Sequence, residues 1–328
     1  MIDSQHPYNS LTPDAVLDAV ESLGYLSDAR ILALNSYENR VYQVGIEGKS
    51  PIIAKFYRPN RWSREQIQEE HDFAEHLLDL EIPVVPPLRD DSNVSLHHFG
   101  DFLFAVYERK GGHAPELDNL DCLHVIGRLI GRMHSLAKQA PFKHRPILDI
   151  QSFGIESREF LLSNDFIPKE LVQAYDSLTQ DLITQIQARF GQVKFDNIRL
   201  HGDCHPGNIL WRDDSAFFVD LDDARMGPAV QDLWMLLSGD RVQQTSQLDE
   251  VLDGYQQFCD FNHAELVLIE PLRTLRIMHY SAWLARRWND PAFPMNFPWF
   301  NSARYWSEHI LELREQFSAM QEPPLALW

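Results

Sequence analysis

The spacing of apolar residues changes character once along this chain, and that change limits what the chain can fold into. From Ile31 to Tyr57, Tyr42, Val44 and Ile46 alternate with their neighbours, Glu47-Gly48 turns the chain, and Ile52 to Tyr57 forms a second apolar run. Such patterns read as short strands. After Leu117 the spacing is helical, with one exception: Ile198 to Asp220 carries short apolar runs broken by a charged loop that contains glycines. A sheet-rich part followed by a helical part is an α+β arrangement. The expected organisation is a small sheet-rich N-lobe over residues 1–107 and a polar, glycine-containing hinge over 108–115. A large, mainly helical C-lobe then covers 116–328 and carries one hairpin.

Local signals agree with this division. Thr12-Pro13-Asp14 supplies a cap, a first-turn proline and an acid for a helix that Gly24 ends. Ser63 opens a second helix, with Gln66 at the reciprocal capping position, and Pro83, Pro86 and Pro87 follow its end near Leu80. Ser95–Phe99 and Phe102–Tyr107 form a hairpin around Gly100-Asp101.

Of 328 residues 44% are hydrophobic, enough to fill two lobes and too many for disorder. Acidic residues number 48 against 29 lysines and arginines, a net charge of −19, and such a surface repels phosphate backbones and anionic lipid. No nucleic-acid or membrane partner is expected. Cys122, Cys204 and Cys259 are sparse and lack CxxC spacing, which fits a reducing cytoplasm better than a disulfide framework. The opening MIDSQHPYNS has no apolar core of a signal peptide, and no run nears the roughly 18 apolar residues that span a bilayer. A cytoplasmic protein is expected.

The chemistry concentrates in HGDCHPGNILWRDDSAFFVD, residues 201–220. With Asp213-Asp214-Ser215 as a three-residue turn, 212 pairs with 216, 210 with 218, and Asn208 with Asp220. Opposed residues have Cβ atoms about 4.5–5.5 Å apart, so an amide oxygen and a carboxylate would meet at one point. Oxygen ligands of this kind suit Mg²⁺. Asp203, five residues upstream of Asn208, is placed to take a proton from a hydroxyl. Single aspartates in loops usually serve turns; the joint spacing is what points to catalysis.

The eight residues His201–Asn208 align without a gap on the protein-kinase H-R-D-x-x-x-x-N loop. They resemble the catalytic loop of the kinase-like phosphotransferases, the group of aminoglycoside phosphotransferases and choline kinases. The resemblance implies a two-lobed, protein-kinase-like fold and ATP as co-substrate. It also implies Asp203 as catalytic base and Asn208 and Asp220 as holders of Mg²⁺, with Asp220 sharing in catalysis. Two positions depart from the protein-kinase pattern: Gly202 replaces the arginine, and His205 stands where many kinases keep a lysine. Longer stretches at 35–44, 54–62, 218–237 and 283–300 resemble a family of bacterial stress-response serine/threonine protein kinases over nearly the whole chain. That resemblance implies a cytoplasmic monomer that phosphorylates protein serine or threonine, its own included.

Lys55 occupies the strand where the superfamily keeps the lysine that contacts the α- and β-phosphates. On a helical wheel Glu70 falls amid Ile67, Phe73, Ala74, Leu77 and Leu78, and a carboxylate there needs a cationic partner. Lys55 is the expected partner, and Glu69 the weaker choice of acid. Asn39 matches the tip of the phosphate loop, and the adenine is expected against the backbone of Tyr107–Arg109, around Glu108. Asp222 and Asp232 are expected to brace the loop. Arg273, Arg276, Arg286 and Arg287 with Trp283 and Trp288 either line an acceptor groove or pack an amphipathic helix. His201, Cys204 and His205 are too close together to make a zinc site. A small-molecule hydroxyl kinase is the rival enzyme. A nucleotide-binding module without transfer activity would be expected to have lost Asp203, Asn208 or Asp220, and all three are present.

Overall fold

The computed structural model describes residues 6–326; Met1–Gln5, the head of the polar N-terminal stretch, and Leu327-Trp328 lie outside the described residues. In chain order the first elements are α1 (Pro13–Glu21), β1 (Ser27–Ala33), β2 (Arg40–Ile46), β3 (Ile52–Phe56), α2 (Arg64–Asp79), β4 (His97–Phe99) and β5 (Phe102–Glu108). Next come α3 (Leu120–Ala137), α4 (Glu156–Ser163), α5 (Lys169–Phe190), β6 (Ile198–Leu200), β7 (Ile209–Arg212), β8 (Ser215–Phe218) and β9 (Arg225–Gly227). The last are α6 (Gln231–Trp234), α7 (Arg241–Tyr255), α8 (Ile269–Arg286), α9 (Ala292–Asn296) and α10 (Ala303–Ala319).

Two compact units are distinguished. The first holds residues up to Glu116 together with Phe142–Arg145 and His205–Ala224; the second holds Leu117–Pro141, Pro146–Cys204 and everything from Arg225. The linear division expected from the sequence puts 205–224 with the later helices. Hydrogen bonds place it in the first unit instead. Phe218 donates to the Pro83 carbonyl at 2.8 Å and accepts from Val85 at 3.2 Å, while Trp211 and His113 exchange two bonds of 2.7 and 3.2 Å. Gly112 permits this approach, since a Cβ there would sit 2.8 Å from Leu210 Cβ.

In the first unit the antiparallel sheet has the order β1-β2-β3-β5-β4. Alternation along β3 gives it two faces. Ile52, Ala54 and Phe56 join Val44, Ile46, Phe102, Phe104 and Val106 in a core closed by Val16, Ala19 and Val20 of α1. Lys55 points the other way, on the side where Tyr57 and Ala105 pack with Ile67 of α2. Helix α1 is capped by Thr12, whose hydroxyl accepts from Ala15 N–H at 3.2 Å. Helix α2 starts on the expected reciprocal pair: Ser63 Oγ accepts from Gln66 N–H at 3.2 Å and Gln66 Oε1 from Ser63 N–H at 2.9 Å.

In the second unit α3 and α7 pack so closely that a Cβ on Gly127 would lie 2.1 Å from the Val251 carbonyl oxygen, and one on Gly131 2.4 Å from that of Tyr255. Backbone cannot swing aside as a side-chain tip can. Gly131→Ala is therefore expected to cost about 1–3 kcal/mol, read as a lower denaturant midpoint; an unchanged midpoint would mean that the two helices slide apart freely. Tyr175, Trp306 and Phe300, all fully buried, belong to the core of this unit.

Candidate active site

The hairpin of the first unit closes on two residues, not three. Asp213 and Asp214 both have positive φ, 52° and 55°, the type I′ geometry that matches strand twist. The pairs are Ile209↔Phe218, Leu210↔Phe217, Trp211↔Ala216 and Arg212↔Ser215. This corrects the expected register by one residue. Asn208 accepts from Val219 N–H at 3.0 Å, so it opposes Val219 and not Asp220. The reason is that aspartate tolerates the left-handed region, so two of them suffice for the turn. Asp220 then leaves the strand with φ 60° and ψ 62°. Its carboxylate is aimed by that left-handed residue and not by strand alternation.

The Asp220 carboxylate meets Lys55 Nζ at 2.7 Å, and Asp222 Oδ1 lies 3.3 Å from the same ammonium. Lys55 is buried, whereas the Asp220 side chain is 53% exposed. Burial would push the Lys55 pKa down, but Asp220 and Asp222, with Tyr107 and Glu70, outweigh it and hold it well above the usual lysine value. Burial likewise opposes ionisation of Asp222, yet Arg61 and Lys55 bring its pKa to about 2. Arg61 pairs with both Asp222 and Asp223. Behind Lys55, Tyr57 O–H shares hydrogen bonds of 2.8 Å with Tyr107 O–H and 2.7 Å with His71 Nε2. Burial pushes the His71 pKa to about 3, so this ring stays neutral.

Glu70 is buried on α2 as the helical wheel requires, but its partner is not Lys55. Arg145 supplies the cation, at 3.1 Å, and also donates to the carbonyl oxygens of Asp222 and Ala224. The contact is non-local and carries no motif, while Lys55 is drawn off by two nearer aspartates. Glu69 accepts the backbone N–H groups of Lys143, His144 and Arg145, tying that segment to α2. Burial raises the Glu70 pKa to about 7 against the pull of Lys55 and Arg145. The folded unit thus binds a proton there that the unfolded chain releases near 4.5. Glu70's contribution to stability is present below pH 4.5 and is lost as the pH rises through 7. Glu70→Gln is expected to flatten the pH dependence of the unfolding midpoint over that window, with an amide oxygen still facing Arg145. A slope as steep as that of the unmodified protein would refute the assignment.

Asn39 is buried and its side-chain oxygen accepts from Arg58 N–H at 3.0 Å, pinning the β1–β2 loop to the end of β3. Glu108, at the end of β5, is exposed and paired with Lys110 at 3.1 Å.

In the second unit Asp232 braces the start of the 201–208 loop, as expected. It accepts from His201 N–H at 2.7 Å and Gly202 N–H at 2.9 Å, and is itself 3.1 Å from His134 Nε2. Asp203 is 21% exposed and meets Arg276 of α8 at 2.5 Å. Of the four arginines named from the sequence, Arg276 is the one that reaches the loop; Arg286 reaches the Glu156 carbonyl and Arg287 the Trp283 carbonyl. Trp283 packs on Phe293 and Phe297, and Trp288 on Phe300. Cys204 is buried, and burial, then Asp232 and Asp203, push its thiol pKa well above the usual range. Among the described residues the one group of three or more converging His, Cys, Asp or Glu ligands is His124, Glu250 and Asp253, a hydrogen-bonded contact between α3 and α7.

The model of the phosphotransferase enzyme family matches residues 30–267. The chain belongs to that family. It is 46% identical to stress response kinase A of Escherichia coli K12 over 327 residues, covering 100% of this chain and 99% of that one. It is 43% identical to the serine/threonine protein kinase RdoA of Salmonella typhimurium, again over 100% and 99% of the two chains. Among solved structures, amicoumacin kinase hAmiN, in complex with AMP-PNP, Ca²⁺ and Ami, has a TM-score of 0.73 at 20% identity, over 98% of this chain and 95% of that one. The fold is thus the kinase-like α+β fold of these phosphotransferases. Lys55, Asp220, Asp203 and Glu70, with Asn208, Asn39 and Glu108, are the site residues legible in the sequence. Arg61 and Arg145, which balance the buried Asp222 and Glu70, carry no motif that marks them, and Arg276 stands in the sequence as one of four arginines.

Proposed function

We propose that this chain is an ATP- and Mg²⁺-dependent serine/threonine protein kinase of the bacterial stress response, able to phosphorylate itself. The observation that carries the reading is the Lys55 ammonium held between Asp220 and Asp222. A buried cation kept charged by two carboxylates is ready to receive phosphate oxygens, with Lys55 facing the nucleotide and Asn39 and the Glu108 backbone completing its site. Asn208 and Asp220 would hold Mg²⁺; both offer oxygen, the donor that this hard ion takes. When bound, the ion neutralises charge on the phosphates. Asp203 takes the acceptor's proton as the acceptor oxygen bonds to the γ-phosphorus and the bond to the β–γ bridging oxygen breaks, releasing ADP.

The protein acceptor is inferred from the full-length relatives, one of which is named a serine/threonine protein kinase. A solved structure of the same fold holds AMP-PNP, which supports a nucleotide co-substrate. Among the described residues no helix is long and apolar enough to cross a membrane; a cytoplasmic monomer is part of the proposal and rests on the resemblance to the stress-response kinases. A small-molecule hydroxyl kinase is the second reading, favoured by Gly202 and His205 in the loop. Incubation with labelled ATP and Mg²⁺, alone and with a generic acceptor protein, is expected to give phosphoserine or phosphothreonine by mass spectrometry. EDTA is expected to stop it. Efficient phosphorylation of choline or an aminoglycoside, with no phosphoprotein, would favour the second reading.

From Leu221 to Leu237 there is no serine, threonine or tyrosine, and the chain passes through β9 directly into α6. Phosphatase-treated enzyme is accordingly expected to be active as purified. Activity that vanished on treatment and returned only with re-phosphorylation would overturn this.

A further inference from the structure

The catalytic loop is held at two different levels. Its backbone is fixed by Asp232, which accepts from His201 and Gly202 N–H and is backed by His134. That clamp ends one residue before Asp203 and does nothing for the torsions of its side chain. The loop has no lysine or arginine of its own, because Gly202 and His205 stand where protein kinases often keep them. A carboxylate 21% exposed on such a loop has solvent on one side. The guanidinium that meets it comes from elsewhere in the chain, 73 residues later on α8.

Helix α8 gives this arginine a stiff base. Thr274 and Leu275, its neighbours in sequence, are buried, and so are Leu272 and Met278. One turn earlier Arg273 lies 5.3 Å over the Trp234 ring and pairs with Glu270. Arg276 itself keeps 43% of its side chain in solvent and donates through Nη1 to Asp203 Oδ1. The planar fork fixes direction as well as charge, which an ammonium does less well.

We propose that Arg276 is the positioning residue for Asp203: it holds the carboxylate in the orientation from which it takes the acceptor's proton. The proposal rests on the reading of Asp203 as the base. It assigns Arg276 no contact with nucleotide or acceptor, so its effect passes through Asp203 alone.

Four full-length variants test it with Mg²⁺-ATP and a generic acceptor protein: Asp203→Ala, Arg276→Ala, Arg276→Lys and the double alanine variant. Misplacing a catalytic group costs on the order of a hundredfold. Arg276→Ala is therefore expected to lower kcat about 10- to 100-fold, with KM for ATP and for the acceptor within about twofold. Arg276→Lys should recover part of the loss. In the Asp203→Ala background the second substitution should change nothing further, since its target is gone. The pair is partly exposed, so thermal midpoints should move little. Wild-type kcat in Arg276→Ala, beside an inactive Asp203→Ala, would overturn the proposal and leave the base assignment standing. A loss confined to acceptor KM would overturn it too, making Arg276 an acceptor contact. Near-normal turnover in Asp203→Ala would sink the base assignment itself.

Discussion

Asp203→Ala is expected to reduce phosphoryl transfer by about 10²- to 10⁴-fold, the range that a positioned general base supplies, while ATP affinity stays within about twofold. The argument begins with where the residue is anchored. Asp232 holds the backbone of the two residues before it and Arg276 meets its side chain, both within the second unit, whereas Lys55 and Asp220 belong to the first. Removing the carboxylate leaves Lys55 and its two partners untouched. It also leaves Arg276 with 43% of its side chain in water, so the folding cost of losing the ion pair should be modest, about 1 kcal/mol. Single-turnover rates and nucleotide titration separate the two effects. A variant that lost nucleotide binding in step with turnover would show Asp203 to be structural or nucleotide-linked.

How far the sequence carries the argument depends on the range of each interaction. The capping of α2 by Ser63 with Gln66, the Thr12 cap of α1 and the apolar run that becomes strand Ile52–Phe56 are local, and they appear in the structure as read. Burial of Glu70 is also local, because helical period alone puts it amid Ile67, Phe73 and Leu77. Its partner is not local. Arg145 lies 75 residues away in a segment with no motif, and nothing in the sequence distinguishes it from other arginines. The hairpin failed for a smaller reason. A two-residue and a three-residue turn are both compatible with Arg212-Asp213-Asp214-Ser215, and they differ by one in register. The slip removes the register argument that set Asn208 beside Asp220; Asp220 itself lies past the last strand pair, in left-handed backbone, where it meets Lys55. Arg276 was visible only as one of four arginines on an aromatic-rich stretch; its choice of Asp203 depends on how α8 lies against the loop.

Lys55→Met is expected to lower kcat/KM for ATP on the order of a hundredfold, comparable to removing one preorganised donor from a developing charge. Methionine keeps most of the side chain's length, so the loss reports charge more than cavity. The stability effect should fall on Asp222. Asp220 is half in solvent and can turn to water, but Asp222 is buried and would keep Arg61 alone. Stranding a buried charge entirely costs roughly 3–5 kcal/mol, and with Arg61 in place a smaller loss, about 2 kcal/mol, is expected. The pH dependence identifies the cause. The Asp222 pKa, about 2 in the folded protein against an ordinary 3.8, makes a contribution that is present above 3.8 and is lost as the pH falls through 2. Lys55 is one of the cations that lower it, so in Lys55→Met that pKa rises and acid unfolding begins at a higher pH. Acid titration followed by circular dichroism reads this directly. An unmoved acid limb alongside impaired ATP use would mean that Arg61 alone holds Asp222, and that Lys55 serves the nucleotide without stabilising the fold.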